Sequence, residues 1–362
     1  MQATHQERVI NYFKSRSENG QGAISDYLSA DTSQASVFVH NSDYLRLANK
    51  QYVVSRQVEQ LKTCSQDAFF SSTLLEDDGL HAQLERRLGQ YYGKECILTQ
   101  SGYVANTGLV HALCEPGTHV YTDNFTHASF FDGLRAKANM KKHGSGLIII
   151  ETLYSSNGTF APVKEVIALK QKYDCVLVVD ESHTLGIYGT HGYLHTLGVE
   201  KDVDYITASL AKAFCTRAGI IMGNSALFVK ENSFPYIFSS ALTENDIVRL
   251  DSMLDVIKDS DDRRERLMRV SHELREGLAR VARVIRTPIP SPIVCVEVDS
   301  ELKVAKLNRH LASRGVAAAV FVWPTRPKHL PVVRMTTHSE LSASDISTII
   351  AAVSSYSNVS KL

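Results

Sequence analysis

CVLVVDESHTLG, Cys175 to Gly186, is the stretch that decides the fold. An unbroken apolar run gives way at once to an acid, Asp180, and three residues later to a histidine, His183. A short apolar run bounded in this way reads as a buried strand of a parallel sheet. In such sheets, ligands gather outside the carboxyl ends of the strands. Working outward, TASLAKAF (Thr207 to Phe214) repeats the theme 32 residues on (212 − 180) and places one lysine, Lys212, among small and apolar residues. Ala208, Leu210, Ala211, Ala213 and Phe214 predict a semi-buried amine, and desolvation makes an amine a better nucleophile and base.

Asp180 alone has two other readings. One is the N-cap of a following helical turn. The other is a nucleotide-motor motif, since VLVVDESH has that form. A motor also needs G-x-x-x-x-G-K-[ST] upstream, and the chain's Gly93-Lys94 pair is followed by Glu95 without the loop. An acid, a histidine and a sheltered lysine at strand ends suit pyridoxal phosphate (PLP) chemistry. The lysine forms the Schiff base, the acid keeps the pyridine nitrogen protonated, and the histidine orients the ring.

Strand-like runs recur with helices between them: ECILTQ (95–100), HVYTD (119–123), GLIIIE (146–151), CVLVVD (175–180) and DYITAS (204–209). ANTGLVHALC (105–114) and VKEVIALKQKY (163–173) read as helices. The pattern predicts an α/β fold with a mostly parallel, doubly covered central sheet. Asp123, Glu151, Asp180 and Ser209 then fall at its carboxyl ends. QSGYVAN (100–106) passes from strand through Ser101-Gly102 into a helix, a start whose N–H groups suit phosphate.

Beyond Phe238 the texture changes. One helical stretch is predicted over about 245–283, with Leu267, Val270, Leu274, Leu278 and Val281 on one face. SPIVCVEV, KVAKLNRHLASRG, VAAAVFVW and PVVRMTT follow as a smaller α+β domain. The expected division is an N-terminal arm (1–50), a large PLP-binding domain (51–244) and a small C-terminal domain (245–362).

The 362 residues are 44% hydrophobic, enough for a large core, and 39 basic residues balance 39 acidic ones. That balance gives no electrostatic case for nucleic acid. Six cysteines without a CxxC pair read as reduced thiols, not as a metal site or disulfide framework. No apolar run is long enough to insert in a membrane, and MQATHQERVINYF lacks a signal-peptide core. The expectation is a soluble, cytoplasmic protein.

The segments NSDYLRLAN, LHAQLERRLGQYYG, SGYVANTG, NFTHASFFDGLR, ETLYSSNGTFAP, VVDESHTLGIYG, TASLAKAF, FSSAL and VVRM stand in the order found in α-oxoamine synthases. The chain resembles that family from about residue 40 onward. The resemblance implies PLP fold type I, like aspartate aminotransferase, and condensation of an amino acid with an acyl-CoA. It implies that Lys212 carries PLP, Asp180 meets the pyridine nitrogen, His183 meets the ring phenolate, and His127 stacks on the ring. Ser101, Gly102, Tyr103 and Ser209 are implied around the phosphate and cofactor edge, with Ser155 near the phenolate. Ser239 and Ser240 are implied to reach a phosphate across a homodimer interface, and Arg334 to hold the substrate carboxylate, a task that suits a bidentate guanidinium. No metal is implied.

Two departures, FFSSTLLEDDGLHAQLE before the first long motif and AFCTRAG after the lysine, are similar to the α-hydroxyketone autoinducer synthase branch. That branch implies a quorum-sensing product, a medium- or long-chain acyl-CoA, and an amino donor such as S-adenosylmethionine or 2-aminobutyrate. The rival within the family is a glycine-, alanine- or serine-using enzyme such as 8-amino-7-oxononanoate synthase. A silent scaffolding subunit is the rival outside catalysis, and the presence of Lys212, Asp180, His183 and His127 together argues against it. Between His127 and Glu151 the family holds a further βα unit of about 20 residues. Here Lys142 runs directly into HGSGLIIIE, so a mobile or discontinuous junction is expected at Lys142–His143.

Overall fold

The computed structural model of the chain describes residues 30–63, 70–115, 117–135, 146–323, 325–327 and 330–356. The junction expected at Lys142–His143 lies outside the described residues.

Eleven strands are described: β1 (Val37–Phe38), β2 (Glu95–Thr99), β3 (Val120–Thr122), β4 (Leu147–Glu151), β5 (Val176–Asp180), β6 (Tyr205–Ser209), β7 (Gly219–Gly223), β8 (Ile293–Glu297), β9 (Val316–Ala317), β10 (Ala319–Phe321) and β11 (Val332–Thr336). Six of them form one sheet in the order β2-β7-β6-β5-β4-β3. Strands β3 to β6 pair in parallel, and β7 runs antiparallel to both its neighbours, β2 and β6. The sheet is therefore mostly parallel.

Alternation along the strands explains why apolar runs were needed. In β5, Leu177 and Val179 join one buried cluster while Val178 joins another. In β4, Ile150 joins the first cluster, and Leu147 and Ile149 the second. Both faces are covered, as an all-apolar strand requires. One cover is α1 (Gly102–Leu113), which buries Ala105, Leu109 and Val110. Opposite it, α2 (Glu244–Lys258) buries Ile247, Leu250, Met253, Leu254 and Ile257 in the other cluster.

Strand β7, GIIMG, was not among the sequence's expected strands. Its glycines frame three apolar residues with no alternation, too short a signal to separate from a loop. The long helix expected over 245–283 is two helices, α2 and α3 (Asp261–Ala279). The interruption is stabilised locally. Ser260 Oγ donates to Val256 O at 2.7 Å, and the buried Arg264 guanidinium takes the carbonyls of Ile257 and Gly186. A cation on the last carbonyls of a helix ends it favourably.

The described chain forms two compact units. One comprises Ser42–Met268 and His338–Glu340 and carries the six-stranded sheet. The second takes in residues up to Asn41, Arg269–Thr337 and the segment from Leu341. It holds the antiparallel sheet β10-β11-β8, the β1–β9 pair and the helices α4 (Glu301–Ser313) and α5 (Ala343–Ser354). Its core is a Val- and Leu-rich cluster including Val296, Leu307, Val333, Met335 and Ile349. These units differ from the sequence boundaries, because α2 spends its apolar face on the large core and β1 pairs with β9.

Candidate active site

The carboxyl ends of β2, β4, β5 and β6 supply the site. Asp180 ends β5, is 4% exposed, and stands in register with Glu151 on β4 and Thr207 on β6. Its Oδ2 accepts from Asn106 Nδ2 at 2.8 Å and its Oδ1 from the Ser182 N–H at 2.7 Å. Each carboxylate oxygen has a further lone pair, so the group is anchored and still able to receive a proton donor. Asn106, on α1, also donates to Ser129 Oγ at 3.1 Å. His183 follows three residues later, equally buried, with Nδ1 2.6 Å from the hydroxyl of the fully buried Tyr44.

His127 follows β3. Its Nδ1 lies 2.8 Å from Ser129 Oγ, which ties it through Asn106 to Asp180. Its ring is accessible to solvent, but its surroundings are crowded enough that desolvation lowers its pKa. Asp180 opposes that shift and Lys212 reinforces it, so both charges act on the imidazole. The balance favours a neutral ring at pH 7.

Lys212 is half-buried in a turn closed by Cys215 N–H to Lys212 O at 3.0 Å and Leu210 N–H to Ala218 O at 2.9 Å. Cys215 sits at φ +46°, unusual for a residue with a Cβ, and its thiol donates to Asp43 Oδ1 at 3.1 Å.

Ser101 caps α1, its Oγ accepting from the Val104 N–H at 3.2 Å. A Cβ on Gly102 would stand 2.5 Å from Ser209 Cβ, and one on Gly219 would stand 2.2 Å from Ser101 O. Two glycines thus let the end of β6 and the start of β7 close against the start of α1. Ser209 is further fixed by its N–H to Ser182 Oγ at 2.7 Å. Tyr103 is 44% exposed, with its hydroxyl donating to Asp132 and its ring centroid 6.3 Å from that of His127.

Ser155 gives its N–H to Glu151 Oε2 at 3.3 Å. Ser239 and Ser240 lie in a segment tied to Phe70–Ser72, with Ser72 N–H to Ser239 O at 3.1 Å. Gln100 donates to Ser240 O, which brings that segment beside Ser101. Arg334 belongs to the other compact unit, in β11, 8% exposed, with its guanidinium 4.2 Å over the Phe321 ring. A separate cavity of about 810 Å³, lined by His81, Glu85, Lys230 and Tyr236, contains none of the sequence-selected site residues.

The family model for aminotransferase class I and II matches residues 131–353. The CAI-1 autoinducer synthase of Vibrio campbellii is 34% identical over 343 residues, 88% of this chain and 86% of that protein. This chain belongs to the class I and II aminotransferase family, in the α-oxoamine synthase branch. The 8-amino-7-oxononanoate synthase of Mycobacterium marinum is 29% identical, covering 84% of this chain and 83% of that one. Serine palmitoyltransferase from S. paucimobilis with bound PLP has the same fold, at a TM-score of 0.85 and 22% identity over 96% of each chain.

This oxoamine synthase is therefore a PLP-dependent acyltransferase of fold type I. Its residues fit the cofactor. A buried acid with spare lone pairs, a half-buried amine, and a wall from which two Cβ atoms are excluded lie in one unit. Gly102→Ala should weaken PLP binding at least about tenfold, because the new methyl overlaps Ser209 backbone and side chain and α1 must retreat. Titrating PLP into the purified variant and reading the visible absorbance checks this; affinity equal to wild type would reject the close-approach argument.

Sequence reasoning did not assign Tyr44 or Asn106, although both lie in quoted motifs, NSDYLRLAN and SGYVANTG. It also missed Glu181, which is 1% exposed and whose Oε1 accepts the N–H groups of Tyr193 and Leu194 and the Thr184 hydroxyl. Burial pushes that carboxyl up to about 7 despite these donors.

Proposed function

We propose that this synthase condenses an amino acid with a medium- or long-chain acyl-CoA to an α-aminoketone precursor of a quorum-sensing autoinducer. The observation that carries the reading is the 34% identity to the CAI-1 autoinducer synthase across nearly the whole of both chains. The amino donor is of the S-adenosylmethionine or 2-aminobutyrate kind. PLP supplies the electron sink that makes a Cα–H bond of the amino acid acidic.

The chain's own residues do the rest. Asp180, held by Asn106 and Ser182, keeps the pyridine nitrogen protonated. Neutral His127 would stack on the ring, and His183, oriented by Tyr44, would face the phenolate with Ser155. Ser101, Gly102, Tyr103 and Ser209 border the phosphate and cofactor edge, and Arg334 takes the substrate carboxylate. Lys212, once released as a free amine, removes the Cα proton as general base. The Cα electron pair would then attack the thioester carbonyl and expel CoA as its thiolate, and loss of the substrate carboxylate as CO2 would leave a pair on Cα that takes the proton back from Lys212.

Ser239 and Ser240 complete the phosphate site of a second copy, which makes the working unit a cytoplasmic homodimer. No described helix is long and apolar enough to cross a membrane. The 29% identity to an 8-amino-7-oxononanoate synthase supports the rival, a glycine-, alanine- or serine-using enzyme. Mass spectrometry of the product formed from mixed amino donors and acyl-CoAs separates them. Incorporation of S-adenosylmethionine or 2-aminobutyrate with chains longer than those of short acyl-CoAs is expected; exclusive use of alanine with a pimeloyl donor would overturn the proposal.

A further inference from the structure

Glu151 ends β4 in register with Asp180, so two carboxyl groups stand side by side in the floor of the site. It is 3% exposed. Oε2 accepts the Ser155 N–H at 3.3 Å, and the backbone N–H of His127 also bonds this carboxyl. Oε1 is buried and has no hydrogen-bond partner among the described residues. A buried oxygen left without a partner costs roughly 1–3 kcal/mol, more if charged, so native structures seldom leave one without a use.

The groups facing Glu151 are Asp180 from β5, Lys212 from the turn after β6, His127 from the loop after β3, and Tyr154 beside it. Asp123, at the end of β3, acts on the same Tyr154. Burial first and Asp180 second hold the proton on Glu151, well above the ordinary carboxyl range; Lys212 and the two N–H bonds oppose them more weakly. A protonated carboxylic acid is a hydrogen-bond donor, unlike a carboxylate.

We propose that Glu151 is a further ligand-contacting residue of this site, with Oε1 donating a hydrogen bond to an anionic oxygen of the bound PLP–substrate assembly while Oε2 holds the Ser155 backbone N–H. The arrangement assigns opposite tasks to two adjacent acids. Asp180 carries the negative charge for the pyridine nitrogen, and Glu151 stays neutral beside it, contributing a donor without a second charge.

The test is spectroscopic and independent of which amino acid or acyl chain the enzyme uses. PLP is titrated into wild type, Glu151→Gln and Glu151→Leu, and the visible band of each loaded protein is followed from pH 6 to 9. Glutamine keeps a neutral donor of the same shape. Its PLP dissociation constant should stay within about threefold of wild type and its band should titrate at the same pH. Leucine removes the donor and should weaken PLP about tenfold or more and shift the band. If Glu151→Gln moves the titration midpoint by a full pH unit, Glu151 is ionised and the proposal is overturned, whatever the leucine variant does. Tight, spectrally normal PLP binding by a folded Glu151→Leu protein would overturn it equally.

Discussion

Lys212→Ala should give a folded protein that shows no lysine-bound PLP absorbance and no measurable condensation. Two losses combine in one substitution. In the proposed mechanism the covalent attachment point disappears, and so does the general base for the Cα proton, a task worth about 10²–10⁴-fold by itself. Turnover should therefore fall by at least about 10³-fold, to the background of the assay. The fold should survive, because the turn is closed by backbone groups: Cys215 N–H to Lys212 O, Thr216 N–H to Leu210 O and Leu210 N–H to Ala218 O. The hydrophobic neighbours Ala213 and Phe214 are each 1% exposed and do not depend on the amine. Circular dichroism, the visible spectrum after PLP addition, and product analysis together make the test. A folded Lys212→Ala protein that turns over within tenfold of wild type would remove Lys212 from the mechanism.

What the sequence revealed, and what it hid, follows from the range of the interactions. Strands β4 and β5 were legible because buried parallel strands are apolar throughout and end abruptly in polar residues, as VLVVD does at Asp180. Strand β7 was not, since GIIMG carries no period, and its need for glycine comes from contacts outside it. Gly219 is required by Ser101 and Thr99, over a hundred residues earlier, and Gly223 by Tyr205. The side chains proposed to carry the chemistry were visible near strand ends, but their supports were not. Tyr44 reaches His183 across 139 residues and Asn106 reaches Asp180 across 74, so no local pattern announces either. Glu151 was noted only as a strand end, because its significance lies in the register that sets it against Asp180. The two-helix break at Ser260 depended on Arg264 finding both Gly186 and Ile257, again a long-range contact.

Asp180→Asn should cut turnover by on the order of 10²–10⁴-fold while leaving the protein folded. Asparagine has nearly the shape of aspartate, but one oxygen becomes an NH2 group. In wild type both oxygens face donors, Asn106 Nδ2 and the Ser182 N–H. The Ser182 N–H cannot turn, so the remaining oxygen stays with it and the new NH2 faces Asn106. Asn106 Oδ1 is buried with no hydrogen-bond partner among the described residues, so a flip of that amide presents an acceptor to the new donor. Ser129, which then loses the Asn106 donor, retains its bond to His127 Nδ1. Packing therefore absorbs the change, and what is lost is the charge that, in the proposed mechanism, keeps the pyridine nitrogen protonated. The same loss removes the one influence raising the pKa of His127, so the ring stays neutral to still lower pH. It also removes the repulsion from Asp180 that helps keep Glu151 protonated, and the Glu151 titration should move down. The variant should still bind PLP and still carry it on Lys212, which separates it from Lys212→Ala. Steady-state kinetics with the best amino donor, alongside the visible spectrum, makes the measurement. Turnover within tenfold of wild type would mean that the pyridine nitrogen takes its proton from elsewhere, and Asp180 would then be an anchor for α1 and the loop at Ser182.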